Sequence, residues 1–101
     1  MNNDSSEYNA RQLTLMLKSI DEYEQGQFGL GTLVSNLEAL RSALEGTDGF
    51  GTTFDSIWGK LEDTLAIVLD QGRITPDDEE KEWIGQVLLE LRSLIESEMD
   101  T

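Results

Sequence analysis

Residues 75–95 read TPDDEEKEWIGQVLLELRSLI, and this stretch decides the fold class. Thr75 is suited to cap a helix, Pro76 to take its first position and Asp78 its third, close to a capping box with Asp in place of Glu or Gln. Behind that start, Ile84, Val87, Leu88, Leu91, Leu94 and Ile95 recur at the 3.6-residue period of an amphipathic helix, with Trp83 at the edge of the stripe. The acidic run Asp77, Asp78, Glu79 and Glu80 is explained locally, because carboxylates in a first turn interact favourably with the helix dipole.

The same period continues toward the N-terminus. A third helix begins near Thr52 or Thr53, turns Phe54, Ile57, Trp58, Leu61, Leu65, Val68 and Leu69 inward, and is closed by Gly72. Residues 46–51 carry three glycines and read as a loop. A second helix carries Leu30, Leu33, Val34, Leu37, Leu40 and Leu44 and ends at Gly46. The first runs from about residue 8 to 25, with Leu13, Met16, Leu17, Ile20 and Tyr23 on one stripe and Gly26 as its stop. Residues 1–7 read as a disordered lead and residues 8–101 as one four-helix domain. Connections this short favour antiparallel neighbours, so the expected architecture is all-α, an up-and-down antiparallel four-helix bundle.

Composition excludes several kinds of chemistry. The chain has no Cys and no His, which removes disulfides, thiolate nucleophiles, the commonest metal ligand and the commonest base near neutral pH. No calcium loop of the EF-hand kind and no phosphate-cradling glycine loop is present. The expectation is therefore a non-catalytic protein without cofactor or metal. No run approaches the ~18 apolar residues of a membrane span, and the polar first ten residues suggest a cytoplasmic protein. Charge is the dominant feature, with 21 Asp and Glu against 7 Lys and Arg and a net charge of −14. Phosphate backbones repel such a chain, so direct nucleic-acid binding is disfavoured, and its field steers it toward cationic proteins.

Two places carry acid beyond what helix formation asks for. Stepping 100° per residue places Asp55, Gly59, Glu62, Asp63, Ala66 and Asp70 on the third helix's face away from Phe54 and Leu65, with no Lys or Arg in that stripe. A glycine inside a helix costs about 1 kcal/mol relative to Ala. Gly59 therefore implies either the close approach of a neighbouring helix or a shallow acidic groove that admits a cationic side chain. In the first helix Asp21, Glu22 and Glu24 cluster at the C-terminal end, where negative charge opposes the dipole. Tyr8 and Leu15 lie on the outer face of that helix and could form the apolar part of an interface.

The stretches IDEYEQG (20–26), LVSNLEAL (33–40) and IWGKLE (57–62) resemble small acidic bacterial proteins encoded beside polymorphic toxins, the contact-dependent growth inhibition immunity proteins in particular. The resemblance covers roughly residues 12–73 and consists of helical pattern, so no binding residue is carried over from it. It implies a protein that binds a toxin domain, often a basic nuclease, and blocks its active site. Asp55-Ser56-Ile57, Leu61-Glu62 and Thr75-Pro76-Asp77-Asp78 resemble an acyl carrier protein instead. That resemblance implies a phosphopantetheine arm on Ser56, and an acidic helix docking on basic enzymes. Trp58 is bulky for that family's docking helix, residues 46–53 are short for its long first loop, and the first helix would be an extra element. A third reading is a self-associating adaptor using Leu15, Ile67 and Leu89, which project off the core stripes, although −14 on each copy opposes close self-packing at low salt.

Overall fold

In the computed structural model, which describes residues 3–100, the chain forms four helices: α1 (Asn3–Glu24), α2 (Leu30–Ala43), α3 (Asp48–Asp70) and α4 (Asp78–Met99). α1 and α3 end in the same way. Gly26 and Gly72 adopt left-handed φ values of 80° and 74°, which only glycine tolerates at little cost. The Gly26 N–H then donates to the Tyr23 carbonyl and Gln27 N–H to that of Glu22, while Gly72 N–H donates to Leu69 and Arg73 N–H to Val68. Both are Schellman closures, which satisfy carbonyls orphaned by the last turn.

Contacts between the helices fix direction. Asn9, early in α1, bonds to the backbone of Glu45 just past α2. Arg41, late in α2, reaches Asp55, early in α3, and Trp58 further along donates to the carbonyl of Val34. Lys60 pairs with Glu90, and Arg73 after α3 pairs with Glu80 at the start of α4. In each case one residue number falls as the other rises, so sequential neighbours are antiparallel. α1 packs on α2 and α4, and α3 on α2 and α4; among the described residues the diagonal pairs do not pack. The chain thus goes round an up-and-down four-helix bundle in sequence order.

The two hairpins are staggered. A 22-residue helix such as α4 is about 33 Å long, yet the molecule measures 50 × 24 × 19 Å. Glu24, the last residue of α1, pairs with Arg92 in the second half of α4, so the first half of α4 runs past the end of α1. The core is built from Leu13, Met16 and Ile20 of α1, Leu30, Leu33 and Leu37 of α2, Phe54 and Leu61 of α3, and Ile84, Val87, Leu88, Leu91 and Ile95 of α4, all buried. Trp58 is half-buried, its indole N–H 3.1 Å from the Val34 carbonyl oxygen.

Five local expectations need correction. α2 ends at Ala43 with Leu44 as an extended C-cap, rather than running to Gly46. α1 starts at Asn3 rather than near Tyr8, so residues 3–7 extend it; its opening turns carry no apolar residue for periodicity to detect. Residues 1 and 2 lie outside the described residues. α3 starts at Asp48, inside the stretch read as a loop. Phe50 is only 6% exposed and its ring lies 5.7 Å from that of Phe54; burying two phenyl rings one turn apart outweighs the glycine propensities around them. α4 is capped not by Thr75 but by Asp77. The Asp77 carboxylate accepts from the Glu80 N–H at 2.8 Å, and the Glu80 carboxylate accepts from the Asp77 N–H at 2.9 Å. This is a complete capping box two residues later than expected, favoured because both reciprocal bonds form. Finally, Leu69 is 56% exposed instead of inward. It shares the azimuth of Trp58, which packs on α2, but α2 begins at Leu30 and does not reach that level of α3.

Candidate functional site

The arrangement of the few cations determines which acids remain available. Arg41 places Nε 3.2 Å and Nη2 3.3 Å from the two Asp55 carboxylate oxygens, joining α2 to α3. Gly51 makes room for that fork, since a Cβ there would fall 2.7 Å from Arg41 Cζ. Lys60 Nζ lies 3.3 Å from Glu90 and 5.9 Å from the centre of the Trp83 ring, joining α3 to α4. Arg92 Nη2 lies 2.7 Å from Asp21 and 3.1 Å from Glu24, joining α4 to α1, and the hydrogen bond to Asp21 pushes its pKa up. On the remaining seam the Asn9 side chain exchanges two hydrogen bonds with the Glu45 backbone. Exposed ion pairs contribute only about 0–1 kcal/mol each. Their larger effect here is to bring scarce positive charge to the seams.

A fourth cation holds the start of α4. Arg73 grips Glu80 through Nη1 at 2.7 Å and Nη2 at 3.0 Å, a bidentate charge-assisted pair. That fork, followed by the Asp77 N–H, lowers the Glu80 pKa to about 2. The acids that open α4 are therefore at work in the fold.

α3's outward face is different. Asp55, Glu62, Asp63, Ala66 and Asp70 are exposed and Gly59 is half-buried, so the stripe does face away from the core. Asp55 is the exception in charge, being neutralised by Arg41 across the seam. Glu62, Asp63 and Asp70 have no ion pair among the described residues. A Cβ at Gly59 would meet nothing within 4 Å, which overturns close helix approach as the reason for that glycine. The surface there is open, and three free carboxylates flank it toward the C-terminal end of the helix.

The acids at the end of α1 do not form the single patch expected. Asp21 and Glu24 turn toward α4 and share Arg92. Glu22 sits on the other side, beside Lys18, Leu15 and Leu40 at the α1–α2 seam. A step of one residue rotates a side chain by about 100°, and that separates it from both neighbours. α1 and α3 also occupy opposite corners of the bundle, so the acids of α1 and the stripe of α3 are two surfaces, not one. Ser56 is exposed inside α3, next to an Asp55 already engaged by Arg41. Leu15, Ile67 and Leu89 are exposed, as their positions off the apolar stripes require, whereas Tyr8 is half-buried.

Sequence reasoning missed the clasps. Their one legible signal is position: Arg41 and Arg92 directly follow core-stripe leucines, Leu40 and Leu91, which puts a long cation at the rim of a buried face. Among the described residues no group of three or more Asp or Glu is arranged to hold a metal ion, and no helix is long and apolar enough to cross a membrane. In comparison with known proteins, no family model, no curated protein and no solved structure matches the chain.

Proposed function

We propose that this is a non-catalytic acidic binding protein that neutralises a basic protein by covering its cationic site. In the setting implied by the resemblance to immunity proteins, the partner is a nuclease-like toxin domain and the compartment is the cytoplasm. The observation that carries the reading is the outward face of α3, where Glu62, Asp63 and Asp70 stand exposed with no ion pair among the described residues while four of the 7 cations are engaged elsewhere in the fold. An acidic face of this kind can occupy a cleft built for phosphates, and charge complementarity accelerates the encounter.

The test is a titration against the product of the adjacent gene, or against a basic protein that co-purifies with the chain from its native cells. Glu62→Lys, Asp63→Lys and Asp70→Lys combined should weaken binding by roughly a hundredfold or more, with the thermal midpoint of unfolding unchanged or raised. Unchanged affinity would move the interface off α3. The absence of any basic partner would end the inhibitor reading.

A further inference from the structure

The stagger of the hairpins leaves a notch between the α1–α2 turn and the start of α4. It is a groove of about 650 Å³ whose walls include Tyr23, Phe28, Ile74, Ile84 and Leu88, a volume within the range of sites that take a buried group. Two features set it apart from an ordinary packing defect. Ile74 is 90% exposed at its edge, in a seven-residue turn where any polar residue would be better solvated. Gly85 lies on its wall in the middle of α4, where a glycine lowers helix stability. No packing requires that glycine, because a Cβ at Gly85 would meet nothing within 4 Å. What the missing side chain does is keep the groove open.

We propose that this groove is the anchor pocket for the cationic partner: it takes a bulky apolar side chain carried between Lys or Arg residues on a segment of that protein. This rests on the reading of the chain as a binder of basic proteins. The groove adds the desolvated apolar centre that interfaces need and an acidic face alone does not supply. Charge at its borders favours cationic flanks. The exposed Asp78 and Glu79, which have no ion pair among the described residues, stand in the turn of α4 between the lining residues Pro76 and Lys81; Glu24 also lines the groove but is held by Arg92. Lys81 is the one cation on the wall among the described residues, and it sets where a basic flank cannot lie. Burial, then the neighbouring Glu24, pushes the Tyr23 hydroxyl up, so that side chain stays neutral across the neutral range.

Three synthetic peptides separate the components: a Leu-Trp pair flanked by lysines, its Ser-Ser analogue of equal charge, and the Leu-Trp pair flanked by serines. Binding is followed by two-dimensional NMR of the labelled protein. The lysine-flanked Leu-Trp peptide should bind roughly tenfold or more tightly than the Ser-Ser analogue and shift the amides of residues 23–30 and 84–88. Gly85→Leu fills the groove and should abolish that preference without lowering the thermal midpoint. Ile74→Ser, at a site already in water, should reduce it severalfold with the fold intact. Equal binding of both lysine peptides, or no effect of either variant, overturns the groove and leaves the cationic-partner reading standing. Binding of the serine-flanked peptide as tightly as the lysine-flanked one overturns the requirement for a basic partner. Binding of none overturns both.

Discussion

The outward face of α3 and the first turn of α4 are both runs of carboxylate, and the fold treats them in opposite ways. At α4, Asp77 and Glu80 exchange hydrogen bonds with each other's backbone, and Arg73 closes over Glu80. At α3, Glu62, Asp63 and Asp70 point into water without an ion pair among the described residues, around a glycine that packing does not need. Acid at a helix N-terminus is stabilising; acid along a helix face is neutral at best and adds to self-repulsion. Density of carboxylate is therefore a poor guide to a binding surface. What distinguishes the two regions is whether the fold already uses the charge.

Breaking the α4 side should cost stability and spare binding. Replacing Asp77 and Glu80 together by Ala removes the capping box and the Arg73 fork while leaving Asp78 and Glu79 at the groove's border. This should lower unfolding free energy by about 1–3 kcal/mol, measured by urea titration, with affinity for the basic partner within a few-fold of wild type. If this variant loses binding while the α3 reversal keeps it, the two faces have been assigned the wrong way round.

A narrower variant isolates the cap. Asp77→Ala should cost about 1 kcal/mol and Asp77→Asn much less, because Asn caps nearly as well. Equal losses for the two would mean that the charge facing Arg73, 4.0 Å away, matters more than the cap.

Acid sharpens the same contrast. Glu80 has a folded pKa lowered from 4.5 to about 2. A depressed carboxyl pKa contributes stability that is fully present above the unfolded value and is lost as pH falls through the folded one. The Arg73–Glu80 contribution should thus decline between about pH 4.5 and pH 2. Carbon-detected carboxyl NMR should find a Glu80 midpoint near the bottom of that window, and Glu80→Gln should flatten the stability profile there. A midpoint in the ordinary glutamate range would show the Arg73 fork to be open in solution.

Gly59→Ala tests the α3 face with the smallest change. The new methyl meets nothing within 4 Å, so helix propensity alone should act and stability should rise by up to about 1 kcal/mol. Gly51→Ala has no such freedom, because its methyl would crowd Arg41 and the gain should shrink or vanish. Equal gains at both positions would mean that Arg41 moves aside at no cost.

Much of the architecture was legible in the chain because the signals are short-ranged. The apolar stripes of the four helices and the stops at Gly26 and Gly72 depend on residues within one or two turns, and apart from Leu69 those features stand where the pattern puts them. Local rules that competed were decided by tertiary contact. The burial of Phe50 against Phe54 pulled a glycine-rich segment into α3, and the missing cover of α2 left Leu69 in water. The outward direction of the α3 stripe follows from sequence alone, since 100° per residue fixes an azimuth. Which of its acids are free does not. Asp21 is neutralised by Arg92, 71 residues away, and Asp55 by Arg41 from another helix. Those pairings, and the groove beside Gly85, depend on how far one hairpin slides along the other. That stagger is set by the whole core at once, and no short stretch of the chain contains it.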